Sequence, residues 1–325
     1  MKKTFLTGLV LATVICLLTA FLIWGKGGIL SPGQNISHVV TVVPRGASTS
    51  SIANMLTNKQ LVKHPIYFYL AMLVTGTKGK LKAGEYSIPK HASPVEIAIL
   101  LASGQTIRHF LTIPEGQTVA QIMQIIDKLP RLEGKILKVP KEGLLLPNTY
   151  QYQLWDKRQD LIDRMHKAMK QQLRKAWADR SDDLPLETPH EMLTLASVVE
   201  KETGIPSERP EIAGVFVNRL RKGIRLQADP TVVYSLTRGR AKLGRKLTRE
   251  DLKINDPYNT YVQGGLPPGP IACPGVASLR AVANPNPTLN LYFVANGKGG
   301  HNFARSLSQH NNNVANWKKK QAGEG

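Results

Sequence analysis

The sequence predicts a single membrane-spanning helix, followed by a region of the α+β class. Three observations support this fold class. The chain of 325 residues opens with a 20-residue stretch, Phe5 to Trp24, that has no charged side chain. Between residues 36 and 187, short β-branched segments alternate with amphipathic ones. Apolar helical segments and one β-hairpin pattern then fill residues 188 to 325.

The first segment predicts how the chain is placed in the cell. About 20 apolar residues span a bilayer as a helix, so Phe5 to Trp24 is long enough to be an anchor. Lys2 and Lys3 precede it, and positive residues favour the cytoplasmic side. We therefore expect a cytoplasmic N-terminus and anchor over residues 1–25, with the bulk of the chain beyond the membrane. A cleaved signal peptide is the alternative, although no small-x-small cleavage site follows.

The amino-acid composition argues against a metalloprotein and against a nucleic-acid-binding protein. Cys16 lies in the predicted anchor and Cys273 far beyond it, so the exported part is expected to fold without a disulfide. We interpret His301 and His310 as structural or substrate-lining, and we expect no metal and no cofactor. The net charge of +20 would suit nucleic acid, but no nucleic-acid motif is present. Attraction to a phospholipid or cell-wall surface, or a simply solvated surface, accounts for it.

Residues 26–35 are rich in glycine and proline and predict a linker, and residues 36–107 predict a small α+β module. The predicted elements of the module, in chain order, are a strand at 38–43, a helix capped within Ser48 to Ser51, a helix at 64–76, a strand at 83–88 and a helix at 93–102. Its segment VPRGASTSSIA is similar to the LysM module, which implies glycan binding. A spacer role is the alternative.

Residues 108–187 predict a connecting α+β region. The order strand, turn, helix returns at Leu111 to Ile126, and residues 144–153 read as extended and aromatic. A basic amphipathic helix is expected at 159–178, because apolar residues recur there at helical spacing: Leu161, Met165, Met169 and Leu173.

Residues 188–325 predict a mixed helical domain with a β-hairpin. Thr188 to Glu191 reads as a capping box with proline at the first helical position, and an almost wholly apolar helix follows as far as Gly204. The further predicted elements are a helix capped by Ser207, a helix opened by Asp229, a short helix after Thr248, a helix at 276–283, a hairpin turning at Asn296-Gly297 and a helical tail from Ser306.

The candidate catalytic residues stand where the apolar helix ends, in LASVVEKETG, with Glu200 and Glu202. An acid at a helix C-terminus is disfavoured by up to about 1 kcal/mol, so packing alone would favour lysine or arginine. On a helix Glu202 lies over Leu195 and Val198, and apolar surroundings raise the pKa of a carboxyl group. A carboxylic acid that keeps its proton at neutral pH can act as a general acid. The alternative is that both glutamates reach solvent at a frayed helix end.

Two later segments, RLQADPTVVY at 225–234 and DPYNTY at 256–261, place polar and aromatic side chains in loops and helix starts. Such loops commonly line a polar ligand site. Amides suit the hydroxyl and N-acetyl groups of a sugar, and aromatic rings suit its C–H face. The predicted substrate-binding residues are Gln227, Asp229, Thr231, Tyr258, Asn259 and Tyr261. Asp229 has helix N-capping as its alternative role.

LASVVEKETG is followed in order by FVNRLRKGIRLQADPTVVY, YNTY, GLPPGPI-x-x-PG and NGKGGHNFA. In this order and spacing the motifs resemble the YceG-like endolytic murein transglycosylases of the MltG type, along the whole chain. The resemblance implies a lyase that cleaves the MurNAc-β-1,4-GlcNAc bond of nascent peptidoglycan and leaves a 1,6-anhydro end, which terminates the strand. It implies a single-pass protein of the inner membrane that faces the periplasm, with glycan strands as substrate and penicillin-binding glycan synthases as partners.

The implied chemistry uses one carboxyl group as general acid and then as base. Lytic transglycosylases carry a Glu-Ser pair at the end of the catalytic helix, and Glu202-Thr203 is similar to it, whereas Glu200-Lys201 is not. Glu202 is therefore the predicted catalytic residue, and Glu200 is the second choice.

Two other functions stay open from the sequence. A non-catalytic glycan-binding scaffold would not need Glu202. A muramidase-type hydrolase would need a second carboxylate within roughly 5 to 10 Å of Glu202, and Asp229 and Asp256 are the candidates.

Overall fold

The computed structural model describes residues 13–16, 19 and 26–323. The predicted anchor, Phe5 to Trp24, therefore lies mostly outside the described residues. Every helix within the described part is too short or too polar to span a bilayer. The chain divides into two compact units, Met1–His109 with Gln151–Trp155, and Phe110–Tyr150 with Asp156–Gly325. Helices and small two-stranded sheets make up both, which confirms the α+β class.

The first unit is a two-stranded antiparallel sheet covered by three helices. Strand Val39–Val43 pairs with strand Gly84–Ile88, with Val39 opposite Ile88. The helices are Thr49–Asn58, Pro65–Thr75 and Pro94–Ser103. Each predicted element of this module is present within two residues of its expected bounds. The LysM resemblance and the predicted domain boundaries stay predictions.

The caps of these helices follow from local sequence. Ser48 accepts a hydrogen bond from the backbone N–H of Ser51 at 3.1 Å, as the sequence predicts. Ser93 and Glu96 form a complete capping box, in which each side chain accepts from the other residue's backbone N–H. The core beneath them is apolar, with side chains such as Ile52, Leu56, Phe68, Tyr86, Ile97 and Leu101 almost fully buried.

The connecting region has the predicted repeat of strand, turn and helix. Strands His109–Thr112 and Thr149–Tyr152 form the second small sheet, and the helix Val119–Asp127 follows the first of them. A long helix, Arg158–Ala178, comes next, and the four apolar side chains that predicted it are all buried: Leu161, Met165, Met169 and Leu173.

The second unit is built around one helix, Pro189–Glu202, which we call the central helix. Its residues from Met192 to Glu200 are all buried. It contacts the helices Arg158–Ala178, Arg209–Arg221, Asp229–Thr237 and Val276–Ala283. Because neighbours surround it, the helix needs apolar side chains on nearly every face, which is the pattern that the sequence shows. Its buried Ser197 hydroxyl also holds the loop before the helix Val276–Ala283, by accepting a hydrogen bond from the Ile271 N–H at 3.0 Å.

Three predicted helix starts differ in the structure. Thr188 accepts from the Glu191 N–H at 3.2 Å, but the Glu191 carboxylate accepts from the Glu187 N–H at 2.6 Å, so the predicted capping box is half formed. Ser207 caps no helix, because it lies in the 3-10 turn Pro206–Glu208. Asp229 is the first residue of its helix rather than the N-cap.

The chain ends with a hairpin and a helix. Strands Tyr292–Ala295 and His301–Ala304 pair antiparallel, with Ala295 opposite His301. The predicted turn at Asn296-Gly297 is the start of a longer loop, which the Asn296 N–H closes by donating to the Gly300 carbonyl at 2.8 Å. The C-terminal helix, Leu307–Gly323, packs against both strands.

Candidate active site

A cavity of about 490 Å³ lies where the central helix ends. Its other walls come from the loop after the helix Arg209–Arg221, the segment that carries Tyr261, the hairpin and the C-terminal helix. Its charged and polar lining residues are Glu202, Arg219, Gln227, Asp229, Tyr261, His301 and His310. An apolar and aromatic wall comes mainly from Tyr292, Phe293, Leu307, Val314 and Trp317.

Glu202 is the last residue of the central helix, and its carboxyl group opens into this cavity. Among the described residues, none forms a hydrogen bond with it. Burial and, to a lesser degree, the Asp229 carboxylate together raise the pKa of Glu202 to about 8, although the Arg219 guanidinium acts in the opposite direction. The carboxyl group therefore holds a proton at neutral pH, which is the state that a general acid requires.

Glu200 lies on the same helix but has a different environment. Its carboxylate is buried and accepts from the Gly275 N–H at 2.9 Å and from the Ser278 hydroxyl at 2.7 Å. Arg209 donates to its other oxygen at 3.0 Å. Gly275 and Ser278 lie at the start of the helix Val276–Ala283, so Glu200 acts as a cap supplied from a neighbouring helix. It does not line the cavity.

Three of the six predicted substrate-binding residues line the cavity with Glu202: Gln227, Asp229 and Tyr261. The Tyr261 hydroxyl donates to Asp229 at 2.6 Å. Burial raises the pKa of Tyr261, and the bond to Asp229 raises it further, so the hydroxyl keeps its proton. Gln227 has a left-handed backbone, with φ of 49°, which is strained for a residue with a side chain.

Thr231 and Asn259 are almost fully buried and support the wall from behind. The Thr231 hydroxyl donates to the Ala228 carbonyl at 2.6 Å and meets the Thr260 hydroxyl at 2.9 Å. The Asn259 side-chain oxygen accepts from the Tyr261 N–H at 3.0 Å. These bonds fix the two segments that carry Asp229 and Tyr261. The side chains of Thr231 and Asn259 themselves do not line the cavity.

Tyr258 and Asp256 face another part of the unit. The Tyr258 ring lies 4.8 Å from the Tyr234 ring, centroid to centroid, and the Arg238 guanidinium covers it. Arg238 also pairs with Asp256. Neither residue lines the cavity that contains Glu202.

The sequence did not predict Arg219 or the aromatic wall. The Arg219 guanidinium is largely buried and donates to the backbone carbonyls of Leu291 at 2.6 Å and Leu226 at 2.8 Å. It also lies 5.1 Å from the Tyr292 ring centroid. The sequence feature that could have identified Arg219 is its position on the core face of an apolar helix, three residues after Phe216. The C-terminal helix carried a second signal, because its cavity-lining residues recur at helical spacing: Leu307, His310, Val314 and Trp317.

Thr203, the proposed partner of Glu202 in a Glu-Ser-like pair, is buried behind the cavity. Its hydroxyl donates to Glu208 at 3.2 Å and accepts from the Ile205 N–H at 3.0 Å. The hydroxyl therefore fixes how the chain leaves the central helix.

Comparisons with known proteins agree on one family. The model of the YceG-like family matches residues 41–316, which include Glu202 and nearly all of the cavity lining. An endolytic murein transglycosylase of Bacillus subtilis (strain 168) is 32% identical over 326 residues, covering 90% of this chain and 88% of the relative. An endolytic murein transglycosylase of Streptococcus pneumoniae (strain D39) is 31% identical, and the alignment covers 86% of this chain but 59% of the relative. The crystal structure of a yceG-like protein from Listeria monocytogenes is similar with a TM-score of 0.54 and 31% identity, covering 86% of this chain and 99% of that one.

Proposed function

Because the chain belongs to the YceG-like family, we propose that it is a lytic transglycosylase that cleaves peptidoglycan strands internally. The bond cleaved is MurNAc-β-1,4-GlcNAc, and the product carries a 1,6-anhydro-MurNAc end. The observation that carries the proposal is the Glu202 carboxyl group, which opens into a cavity, lacks a hydrogen-bond partner among the described residues and has a pKa of about 8. The names of the curated relatives support the reaction class.

The proposed reaction needs one carboxyl group. Protonated Glu202 donates its proton to the glycosidic oxygen as the bond from that oxygen to the anomeric carbon breaks. The resulting carboxylate takes the proton of the C6 hydroxyl while the C6 oxygen bonds to the anomeric carbon. No water is consumed, and Glu202 ends the cycle protonated. A pKa of about 8 suits both steps, because the group is charged for the base step and neutral at rest.

The cavity has the size and lining for sugars. Small-molecule sites are typically about 300 to 1,000 Å³, and this one is about 490 Å³. Tyr292 and Trp317 offer aromatic faces, and Gln227, Asp229 and Tyr261 offer hydrogen-bonding groups. We propose that these three polar residues contact the glycan, and that Thr231 and Asn259 hold them in place.

A muramidase-type hydrolase is the second candidate function, because Asp229 lines the same cavity and its charge acts on Glu202. A hydrolase would use such a second carboxylate to activate water or to form an intermediate. In this structure the Asp229 carboxylate already accepts from the Tyr261 hydroxyl at 2.6 Å. This bond favours a role in binding over a role as base.

The cellular setting is part of the proposal. The uncharged segment Phe5 to Trp24 supports a single-pass inner-membrane protein with its cytoplasmic end at Met1 and its bulk in the periplasm. There the enzyme would meet glycan strands as penicillin-binding glycan synthases release them. A glycan-binding scaffold without catalysis would fit the same place.

Product analysis separates the three functions. The full-length chain, purified in detergent, is incubated with uncrosslinked glycan strands beside the variants Glu202→Gln and Asp229→Asn, and the fragments are weighed by mass spectrometry. We expect anhydro-ended fragments from the parent and from Asp229→Asn, and none from Glu202→Gln. Fragments heavier by one water, lost in Asp229→Asn, would establish the hydrolase instead. Absence of fragments from the parent protein would favour the scaffold.

A further inference from the structure

His301 lines the cavity and is paired with Glu208, and the proposed reaction uses neither residue. The Glu208 carboxylate accepts from the His301 backbone N–H at 2.9 Å and lies 2.7 Å from Nδ1 of the His301 ring. The Thr203 hydroxyl donates to the same carboxylate at 3.2 Å. Glu208 thus ties the end of the central helix to the hairpin strand that carries His301.

The partners of Glu208 determine which nitrogen of His301 carries a proton. Burial alone would raise the pKa of Glu208, but the hydrogen bonds from His301 hold it below its ordinary value, so the group is a carboxylate. A carboxylate only accepts hydrogen bonds, so Nδ1 must be the donor. In the neutral ring Nε2 is then an acceptor with a free lone pair.

Nε2 of His301 is available to a ligand. It has no hydrogen-bond partner among the described residues, and it is not enclosed as Nδ1 of His310 and Nε2 of His166 are. The ring itself lines the cavity that contains Glu202. The acceptor nitrogen is therefore part of the same site as the proposed acid.

The position of the ring is fixed on several sides. Phe293 meets it edge to face, with centroids 5.4 Å apart and an interplanar angle of 87°. Phe303 lies beyond, with centroids 6.5 Å apart. Gly300 leaves room for the carboxylate, since a Cβ there would lie 2.7 Å from the nearer Glu208 oxygen. A ring held this firmly, with one fixed tautomer, presents its lone pair in a defined direction.

We propose that His301 is a substrate-binding residue whose Nε2 accepts a hydrogen bond from a hydroxyl or amide N–H of an N-acetylated sugar, and that Glu208 positions it by fixing the tautomer. The inference rests on the proposed function for the ligand class, a β-1,4-linked glycan. It assigns His301 to binding and leaves proton transfer to Glu202.

Glu208→Gln tests the tautomer with little change in shape. One amide oxygen can still accept from the His301 N–H, but an NH₂ group now donates to Nδ1. The ring proton is then expected to move to Nε2, where it opposes the sugar donor. His301→Asn is the complementary variant, because its short amide can still donate to Glu208 but nothing replaces Nε2. The matched control is Glu85→Gln, which alters the pair of Glu85 with His109, 2.5 Å apart in the other unit.

The variants are made in full-length Glu202→Gln protein, so that the probe is not cleaved. Binding of a tetramer of β-1,4-linked N-acetylglucosamine is measured by calorimetry, and the His301 tautomer is read from ¹⁵N NMR. We expect Nδ1–H in the parent, Nε2–H in Glu208→Gln, and binding weaker by on the order of tenfold in Glu208→Gln and His301→Asn, because one hydrogen bond is lost or opposed. Glu85→Gln should bind as the parent does. A glucose tetramer offers hydroxyl groups but no amide N–H. Its affinity should fall in the same variants only if the group that donates to Nε2 is a hydroxyl, so this probe identifies the donor.

The inference is overturned by unchanged binding in His301→Asn, by a parent ring with its proton on Nε2, or by a parent that does not bind the tetramer. Glycan cleavage by the protein with native Glu202 is measured in parallel. If the protein with native Glu202 cleaves the glycan but one of these three contrary results is found, the role of His301 is rejected and the proposed function is retained. If Glu208→Gln does not fold, His301→Asn still decides, because it keeps the bond to Glu208.

Discussion

The replacement of Glu202 by glutamine is expected to stabilise the protein, and to do so increasingly as the pH rises. An ordinary glutamate ionises with a pKa near 4.5, whereas Glu202 in the folded protein has a pKa of about 8. The folded pKa lies above the unfolded one, so the contribution of this group to stability is fully present below pH 4.5 and is lost as the pH rises through 8. Glutamine has the shape of the protonated acid but does not titrate.

The size of the effect follows from the separation of the two pKa values. One pKa unit corresponds to about 1.4 kcal/mol, so the variant should gain about 1.4 kcal/mol over the parent for each pH unit between 5 and 8. At pH 7 the gain amounts to about 3 kcal/mol. The other titrating groups are common to both proteins and largely cancel in the difference.

The assay is denaturant unfolding of parent and variant at pH 5, 6, 7 and 8, followed by tryptophan fluorescence, which Trp177 and Trp317 contribute from the second unit. The two free energies of unfolding should differ little at pH 5 and diverge above it. A gap that does not change with pH, or a variant that is less stable at every pH, would refute the assignment of a raised pKa to Glu202.

Three further predictions use the same residues. The kcat/KM for glycan cleavage should fall as the pH rises above about 8, because the free enzyme then loses the proton of Glu202. In Asp229→Asn this fall should begin at a lower pH, since the Asp229 charge raises the pKa of Glu202; the same pH profile measures it. Glu200→Gln should lower the free energy of unfolding by about 3 kcal/mol, because it breaks the buried pair with Arg209 and weakens the cap on the helix Val276–Ala283. Chemical denaturation checks this last value.

Much of the fold could be predicted because local sequence patterns determine where its helices and strands form. The helix Val276–Ala283 and the repeat at Val119–Asp127 follow from apolar spacing and turn residues. The caps were harder, because a capping residue is defined by its partner. Asp229 bonds to Tyr261, 32 residues away, and not to its own helix. Local sequence shows that such a side chain can cap a helix, but it does not show which of the available hydrogen-bond donors it will accept from.

The choice between the two glutamates has the same origin. Both lie in the last turn of the same apolar helix, so local sequence predicts a raised pKa for either. The partners that separate them come from distant segments, namely Gly275, Ser278 and Arg209. The preference for Glu202 came from the resemblance to lytic transglycosylases, and the hydrogen bonds of Glu200 give that preference a physical reason.

The cavity could be predicted only in part, because its walls are assembled from five separate segments. The loop residues Gln227, Asp229 and Tyr261 were identifiable by their chemistry. Nothing local indicates that the hairpin and the C-terminal helix fold back beside Glu202. The aromatic wall therefore had to come from the structure. So did the position of His301 beside Glu202, because the sequence left that residue as structural or substrate-lining.

The central claim is that Glu202, and not Glu200, is the acid and base of the reaction. The most direct measurement is the initial rate of glycan cleavage by Glu202→Gln and Glu200→Gln, each at a known folded fraction. Loss of general acid–base catalysis costs typically about 10²- to 10⁴-fold, so Glu202→Gln should lose at least this much while folded Glu200→Gln stays within about tenfold of the parent. A Glu202→Gln protein that cleaves at the parent rate, or a folded Glu200→Gln protein that alone is inactive, would contradict the account.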